Sequence, residues 1–294
     1  MHDIDRIILG DNQFFGVNHM SEDRGRETYE QFKDMKEIER IMLYALDKGV
    51  TGVSFSTHPS IGKVCDMIRA NPRLRDNFNI YVNVPYIVKY ISMVTQMGMY
   101  NAMKSVILSY PKEGRSKFLA KAAGNALTLD HIGVLERLID MEVSPFRGLN
   151  VKAIFLHSAL CDIALGYQLK EILLAFDSYI RKAYGAIPGY GTLNFAPFAQ
   201  YMDEIGLGES LIMTSCNKLG FQMNPSRAAC EEEIAATKHT VIGMVTLASG
   251  CLKPEEAYEY LAGIGVKNVI VGLSSPKHAD ETFGCIERHI LGKK

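Results

Sequence analysis

Along the chain, short runs of consecutive apolar residues alternate with longer stretches whose apolar residues recur every three or four positions. The runs are Arg6–Leu9, Gly52–Ser56, Ile80–Val84, Ala153–Leu156, Gly191–Phe195, Leu211–Ser215, Val241–Val245 and Asn268–Gly272. Several are apolar on successive residues. That is the pattern of parallel strands buried on both faces, where strict alternation is lost. Between the runs, Glu37–Lys48 sets Ile38, Ile41, Met42, Ala45 and Leu46 on one helical face, and Gly49 supplies the stop. Leu169, Ile172, Leu173, Phe176 and Ile180 form a second stripe. Asn224 and Ser275 each precede a proline and read as helix N-caps. Eight strand-then-helix units predict an α/β fold, a (β/α)8 TIM barrel, with an open doubly wound sheet as the alternative.

The interval between the third and fourth runs is too long for one crossover helix. Residues 85–127 are rich in methionine and tyrosine, among them Tyr86, Tyr90, Met93, Met97, Met99, Tyr100, Met103 and Tyr110. They read as a helical insertion. Thr128–Val143 then reads as an amphipathic helix with Leu129, Ile132, Leu135, Leu138 and Ile139 inward. An insertion that follows a strand end lies on the mouth side of a barrel. It could be a lid, a substrate wall, a contact with a second copy of the chain, or helices around a small core of their own. No linker or internal repeat divides the chain, so residues 1–294 are expected to form a single barrel domain with residues 85–127 inserted in it.

Composition fits this picture. A 294-residue chain that is 47% hydrophobic can bury a large core, and barrels of this class run to about 250 residues plus insertions. The formal net charge is -1 with basic residues spread out, so no positive field invites nucleic acid or anionic lipid. No apolar stretch approaches the ~20 residues needed to span a bilayer. The start, MHDIDRIILGDN, lacks the basic head and long apolar run of a secretory signal. The six cysteines are scattered without a CxxC pair, against a disulfide framework or a cysteine zinc site. A cytoplasmic protein that binds neither nucleic acid nor membrane is expected.

Chemistry in such barrels sits just past the C-terminal ends of the strands. In chain order these positions carry Asp11, Asn12, Gln13 and His19; Ser56, Thr57 and His58; Asn83, Pro85 and Tyr86; His157 and Ser158; Asn194; Asn217 and Lys218; Thr246 and Ser249; Ser274 and Ser275. The ring is polar but Asp11 is its one obvious acid. That is too few carboxylates for a divalent metal, and no HExxH occurs, so no metal is expected. A histidine site from His19, His58 and His157 is the open alternative. His157 follows AIFL directly, and a neutral imidazole there donates to a substrate oxygen or shuttles a proton near neutral pH. The other reading is a histidine bonded only to neighbouring strand ends. Lys218 could form a Schiff base if desolvated, or simply be solvated. The catalytic candidates are therefore His157, His58, Asp11, Asn83 and Lys218.

The segments AIFLHSA, YGTLNFAPFAQYMDEIG, HTVIGMVTLASGCL and VIVGLSSPKHADETF, in that order, resemble the aldo-keto reductase superfamily. The likeness spans nearly the whole chain outside the insertion. It implies a small carbonyl or phosphorylated metabolite as substrate and NADP as cofactor. Gly272, Ser274 and Glu281 match positions that hold the adenosine phosphate end of NADP, while His278 and Thr282 replace the usual glutamine and asparagine. Lys277 and the amides at the start of the helix capped by Ser275 suit a phosphate. Asn194 matches the contact to the nicotinamide amide.

The first half departs from the family. Its strand-2 aspartate falls on Ser56, its tyrosine on Ile61, and its strand-3 lysine on or beside Asn83; Gly62 is retained. Of the four catalytic residues only His157 carries over. Isoleucine donates no proton, and losing a general acid commonly costs ~10²–10⁴ in rate. The resemblance thus implies an oxidoreductase with a rebuilt acid, drawn from His58, Asp11 or Tyr86. A non-redox lyase, aldolase or isomerase on the same scaffold, or a silent accessory subunit, stays open beside it.

Overall fold

The computed structural model describes residues 3–17, 22–87, 89–93, 95–98 and 131–292. Its strands are β1 (Ile7–Gly10), β2 (Gly52–Ser56), β3 (Asn79–Val84), β4 (Val151–Leu156), β5 (Ile187–Thr192), β6 (Leu211–Ser215), β7 (Thr240–Met244) and β8 (Asn268–Gly272). Each pairs in parallel with the next and β8 returns to β1, closing an eight-stranded barrel. Helices occupy the crossovers: α1 (Glu22–Gln31), α2 (Met35–Asp47), α3 (Ile61–Ala70), α4 (Pro72–Asn77), α5 (His131–Val143), α6 (Ser158–Gly166), α7 (Lys170–Tyr184), α8 (Phe195–Glu204), α9 (Arg227–Ala236), α10 (Pro254–Gly263) and α11 (Pro276–His289). The chain is a (β/α)8 TIM barrel.

Two apolar layers hold it. Inside the barrel, Ile8, Tyr81, Ala153, Phe155, Leu211, Met213 and Ile242 pack together with Ile4 from just before β1. Between strands and helices, residues such as Ile38, Ile41 and Met42 of α2 and Leu173, Phe176 and Ile180 of α7 are buried, as the sequence stripes predict. Each such side chain contributes about 1.5–3 kcal/mol on burial. The N-terminal end is tied by Asp5, whose carboxylate accepts from Tyr81 Oη at 2.5 Å, Thr51 Oγ1 at 2.5 Å and Asn79 Nδ2 at 2.9 Å.

Two expectations are corrected. The fifth strand is Ile187–Thr192 rather than Gly191–Phe195, since Phe195 already begins α8. Pro188, Gly189 and Gly191 disguise it as a breaker. Gly189 is required by packing: a Cβ there would lie 2.4 Å from Cε1 of Phe155, whose ring fills the space. Asn224 is not a cap. Ser226 caps α9, accepting from Ala229 N at 3.2 Å, and the Asn224 amide donates to Leu193 O at 3.1 Å. Ser275 does cap α11, with Pro276 at its first turn. The helix expected over Thr128–Val143 is described from His131 onward. Residues 99–130, most of the expected insertion, lie outside the described residues, and with them the expectations of a lid or a contact with a second copy.

Candidate functional site

Side chains alternate across a strand. Tyr81 and Phe155 point into the barrel, so the residues two further on, Asn83 and His157, face inward at its C-terminal mouth. Ser56 pairs in register with Asn83 and Gly10 with Ser54, which brings the ends of β1 to β4 together. Asn83 is held by its own neighbourhood, donating from Nδ2 to Ser54 Oγ at 3.2 Å.

Asp11 leaves β1 and is buried. Its Oδ2 accepts from Ser56 N at 2.7 Å and from Ser56 Oγ at 2.6 Å. Burial raises the carboxyl's pKa above the usual range, and the bonds from Ser56 oppose it. The carboxyl of β1 is thereby fastened to the residue that stands where the resembling family has its own aspartate.

His58 stacks on Phe15, with ring centroids 4.3 Å apart, and meets the edge of Tyr86 at 5.5 Å. Its Nδ1 accepts from Ser60 N at 3.2 Å. His157 is built alike: Nδ1 accepts from Ala159 N at 3.2 Å and so caps α6. A ring nitrogen that accepts carries no proton, so in both neutral rings the proton sits on Nε2. Burial lowers the pKa of both, with Asp162 opposing at His157. The mouth thus holds two imidazoles biased to the neutral form, each with an Nε2–H to donate. Burial, and then the charge of Asp11, raise the pKa of the Tyr86 phenol and keep it protonated.

Behind this wall lies Glu142 of α5, a carboxylate absent from the sequence-based candidates. It is buried and accepts from Thr57 Oγ1, from Tyr86 N at 3.3 Å, from Lys89 Nζ at 3.0 Å and from Tyr90 Oη. Its spacing of three from Ile139 and four from Leu138 places it on the apolar face of the helix. That spacing is the signal that could have found it. Asp162 is a second such residue: it accepts from Thr192 Oγ1 at 2.5 Å and Leu193 N at 3.3 Å, shaping the end of β5.

Asn194 follows that end. Its backbone N–H donates to Thr192 Oγ1 at 2.9 Å, while its side-chain amide makes no hydrogen bond among the described residues. After β7 the backbone turns through Val245, Ala248 and Ser249 at φ of 55°, 45° and 57°. Such a conformation in a β-branched valine is strained, a feature that concentrates at working sites. At β8, the Gln13 side chain packs over Gly272, 3.0 Å from where a Cβ would sit. Gln13 Oε1 is buried without a partner among the described residues, as is Ser215 Oγ at the end of β6. Beyond Gly272, Ser274 Oγ lies 3.3 Å from His278 Nδ1, and Ser275 Oγ accepts from His278 N at 3.4 Å. Lys277 lies in the first turn of α11 and Glu281 is exposed.

Lys218 stands apart from this assembly. Its side chain is 48% exposed and its ammonium lies 2.7 Å from Glu256, so the desolvated amine expected for a Schiff base is not what the structure holds. Among the described residues no group of three or more His, Cys, Asp or Glu is disposed to hold a metal; His19 lies outside them. No described helix is long and apolar enough to cross a membrane.

Neither protein-family models nor curated protein sequences match the chain. Solved structures do. A Pseudomonas aeruginosa protein assigned to the aldo-keto reductases superposes with a TM-score of 0.60 at 15% identity, over 97% of this chain and 90% of that one. The thermostable aldo-keto reductase Tm1743, solved with the inhibitor epalrestat, gives 0.57 at 13% identity over 97% and 90%. Aldo-keto reductase AKR11C1 from Bacillus halodurans, in its holo form, gives 0.56 at 11% identity over 88% and 87%.

The fold is that of the aldo-keto reductases. At these identities the likeness is one of fold, so roles on this barrel are argued from its own residues. Ile61 is buried in the core at the start of α3 and has no hydroxyl to offer. Among the described residues, the groups able to give a proton near the mouth are instead Asp11, His58, Tyr86 and His157.

Proposed function

We propose that this chain is an NADP-linked oxidoreductase that reduces a small carbonyl compound at the barrel mouth, with its acid rebuilt around Asp11. The observation that carries the reading is the bond pair from Ser56 to Asp11 Oδ2, at 2.7 and 2.6 Å, which seats a buried carboxyl beside the histidine wall. The residues present suit the cofactor. Among the described residues the Asn194 side-chain amide has no partner and Gln13 Oε1 is a buried acceptor left unmatched beside Gly272, and the 14-residue α11 presents its N-terminal amides. Asn194, Gly272, Ser274, Ser275, Lys277 and Glu281 would hold NADP. When bound, the reduced nicotinamide supplies a hydride to the carbonyl carbon.

The chain's own residues do the rest. His157 donates from Nε2 to the carbonyl oxygen and polarises it. Asp11, its pKa raised by burial, delivers a proton to the developing alkoxide from Oδ1, while the Ser56 amide and hydroxyl hold its Oδ2. The Phe15–His58–Tyr86 stack forms an apolar wall that excludes water.

The test is an equilibrium titration with NADPH followed by nicotinamide fluorescence, then a panel of aldehydes and ketones followed by NADPH consumption. Saturable binding with turnover of at least one carbonyl is expected. Absence of NADPH binding at millimolar concentration ends the reading.

A further inference from the structure

We infer that Glu142 is a positioning residue of the mouth, holding Thr57 and the first turn after β3 so that Tyr86 stays against His58. The Glu142 side chain is 1% exposed. A carboxylate that deep loses its hydration and is stable there only where donors replace the water. Among the described residues it has four, and they divide by oxygen. Oε2 takes the Thr57 hydroxyl and the Tyr86 amide; Oε1 takes the Lys89 ammonium and the Tyr90 hydroxyl. The Tyr86 amide is also 3.2 Å from Thr57 Oγ1, so the two segments meet at one point. Thr57 sits between Ser56, which holds Asp11, and His58, whose ring takes the edge of Tyr86. One buried carboxylate from α5 thus joins the loop after β2, which carries His58, to the turn after β3, which carries Tyr86. Lys89 and Tyr90 belong to the expected insertion, so the same carboxylate ties its first described turns to the barrel.

The inference rests on the mouth being the working site. Its readout needs neither cofactor nor substrate, so a failed NADPH titration and a failed clamp are told apart. The experiment is proton NMR of the histidine ring resonances in the full chain, with His58 and His157 assigned by the peaks lost in His58→Gln and His157→Gln. The groups facing His58 are Phe15 and Tyr86, whose ring currents set its shift, with Asp11 near Tyr86. In Glu142→Leu the His58 resonance is expected to move further than that of any other histidine, with His157 unmoved. Glu142→Gln, which keeps an acceptor, and Thr57→Val, which removes one donor, are expected to move it in the same direction by less. If Glu142→Leu does not fold, the two milder variants decide. A His58 resonance unchanged in both, or all histidines moving together, overturns the inference.

Discussion

Asp11 and Ser56, 45 residues apart in the chain, meet on one oxygen: Oδ2 accepts both the amide and the hydroxyl of Ser56. In the proposed reaction Asp11 delivers the proton and Ser56 holds its carboxyl in place. Asp11→Asn is therefore expected to lower carbonyl turnover by about 10²–10⁴ while NADPH binding is unchanged. Ser56→Ala leaves the amide bond but removes the hydroxyl, so a smaller loss is expected. Steady-state rates and NADPH titrations of the two variants check this; full turnover by Asp11→Asn removes Asp11 from the mechanism.

The pH dependence of stability carries opposite signs from the two kinds of group. His58 and His157 have pKa values lowered by burial from the usual 6.5. Below 6.5 the unfolded chain takes up protons that the native rings resist, so stability falls as the solution is acidified through that window. Asp11 has a raised pKa. From the usual 3.8 upward to the raised value, the native state holds a proton the unfolded chain has lost, so its contribution falls as pH rises there. Melting curves from about pH 8 down to about pH 5 should show a shallower acid decline for His58→Gln/His157→Gln than for the parent. Identical slopes would mean that neither ring is held neutral by burial.

The contact between Gly189 and Phe155 fills the barrel interior, and an added methyl has no room there. Gly189→Ala is expected to cost about 1–3 kcal/mol by overpacking. Adding Phe155→Leu in the same chain should recover part of that loss, with a coupling of about 0.5–3 kcal/mol in a double-mutant cycle. Thermal unfolding of the four proteins measures it, and strict additivity would show that the ring does not fill that space.

Lys218 and Glu256 form an exposed ion pair at 2.7 Å. Lys218→Ala is expected to change stability by less than about 1 kcal/mol and to leave any carbonyl activity intact. Borohydride trapping with a carbonyl panel should leave no adduct on the parent protein. An adduct that disappears in Lys218→Ala would revive Schiff-base chemistry.

Much of the fold was legible because its signals are local. The apolar run of each strand and the stripe of each helix lie within a dozen neighbouring residues, so the alternation of strand and helix could be read and the barrel expected. The exception, β5, failed because Pro188 and Gly189 look like breakers in isolation. Only the ring of Phe155, brought alongside from β4, explains why that strand needs a residue without a side chain.

The site divides in the same way. That Asp11, His58 and His157 stand just past strand ends, and Asn83 near the end of its strand, follows from strand length and alternation, and the sequence alone determined it. Which of them touch was decided by the tertiary structure. Asp11 finds Ser56 across 45 residues, Thr57 finds Glu142 across 85, and Lys218 finds Glu256 across 38. Such pairings depend on the register of the closed barrel and on how far each crossover helix carries its side chains round it. A periodicity records which face of its own element a residue occupies. It does not record what the closed barrel sets opposite that face.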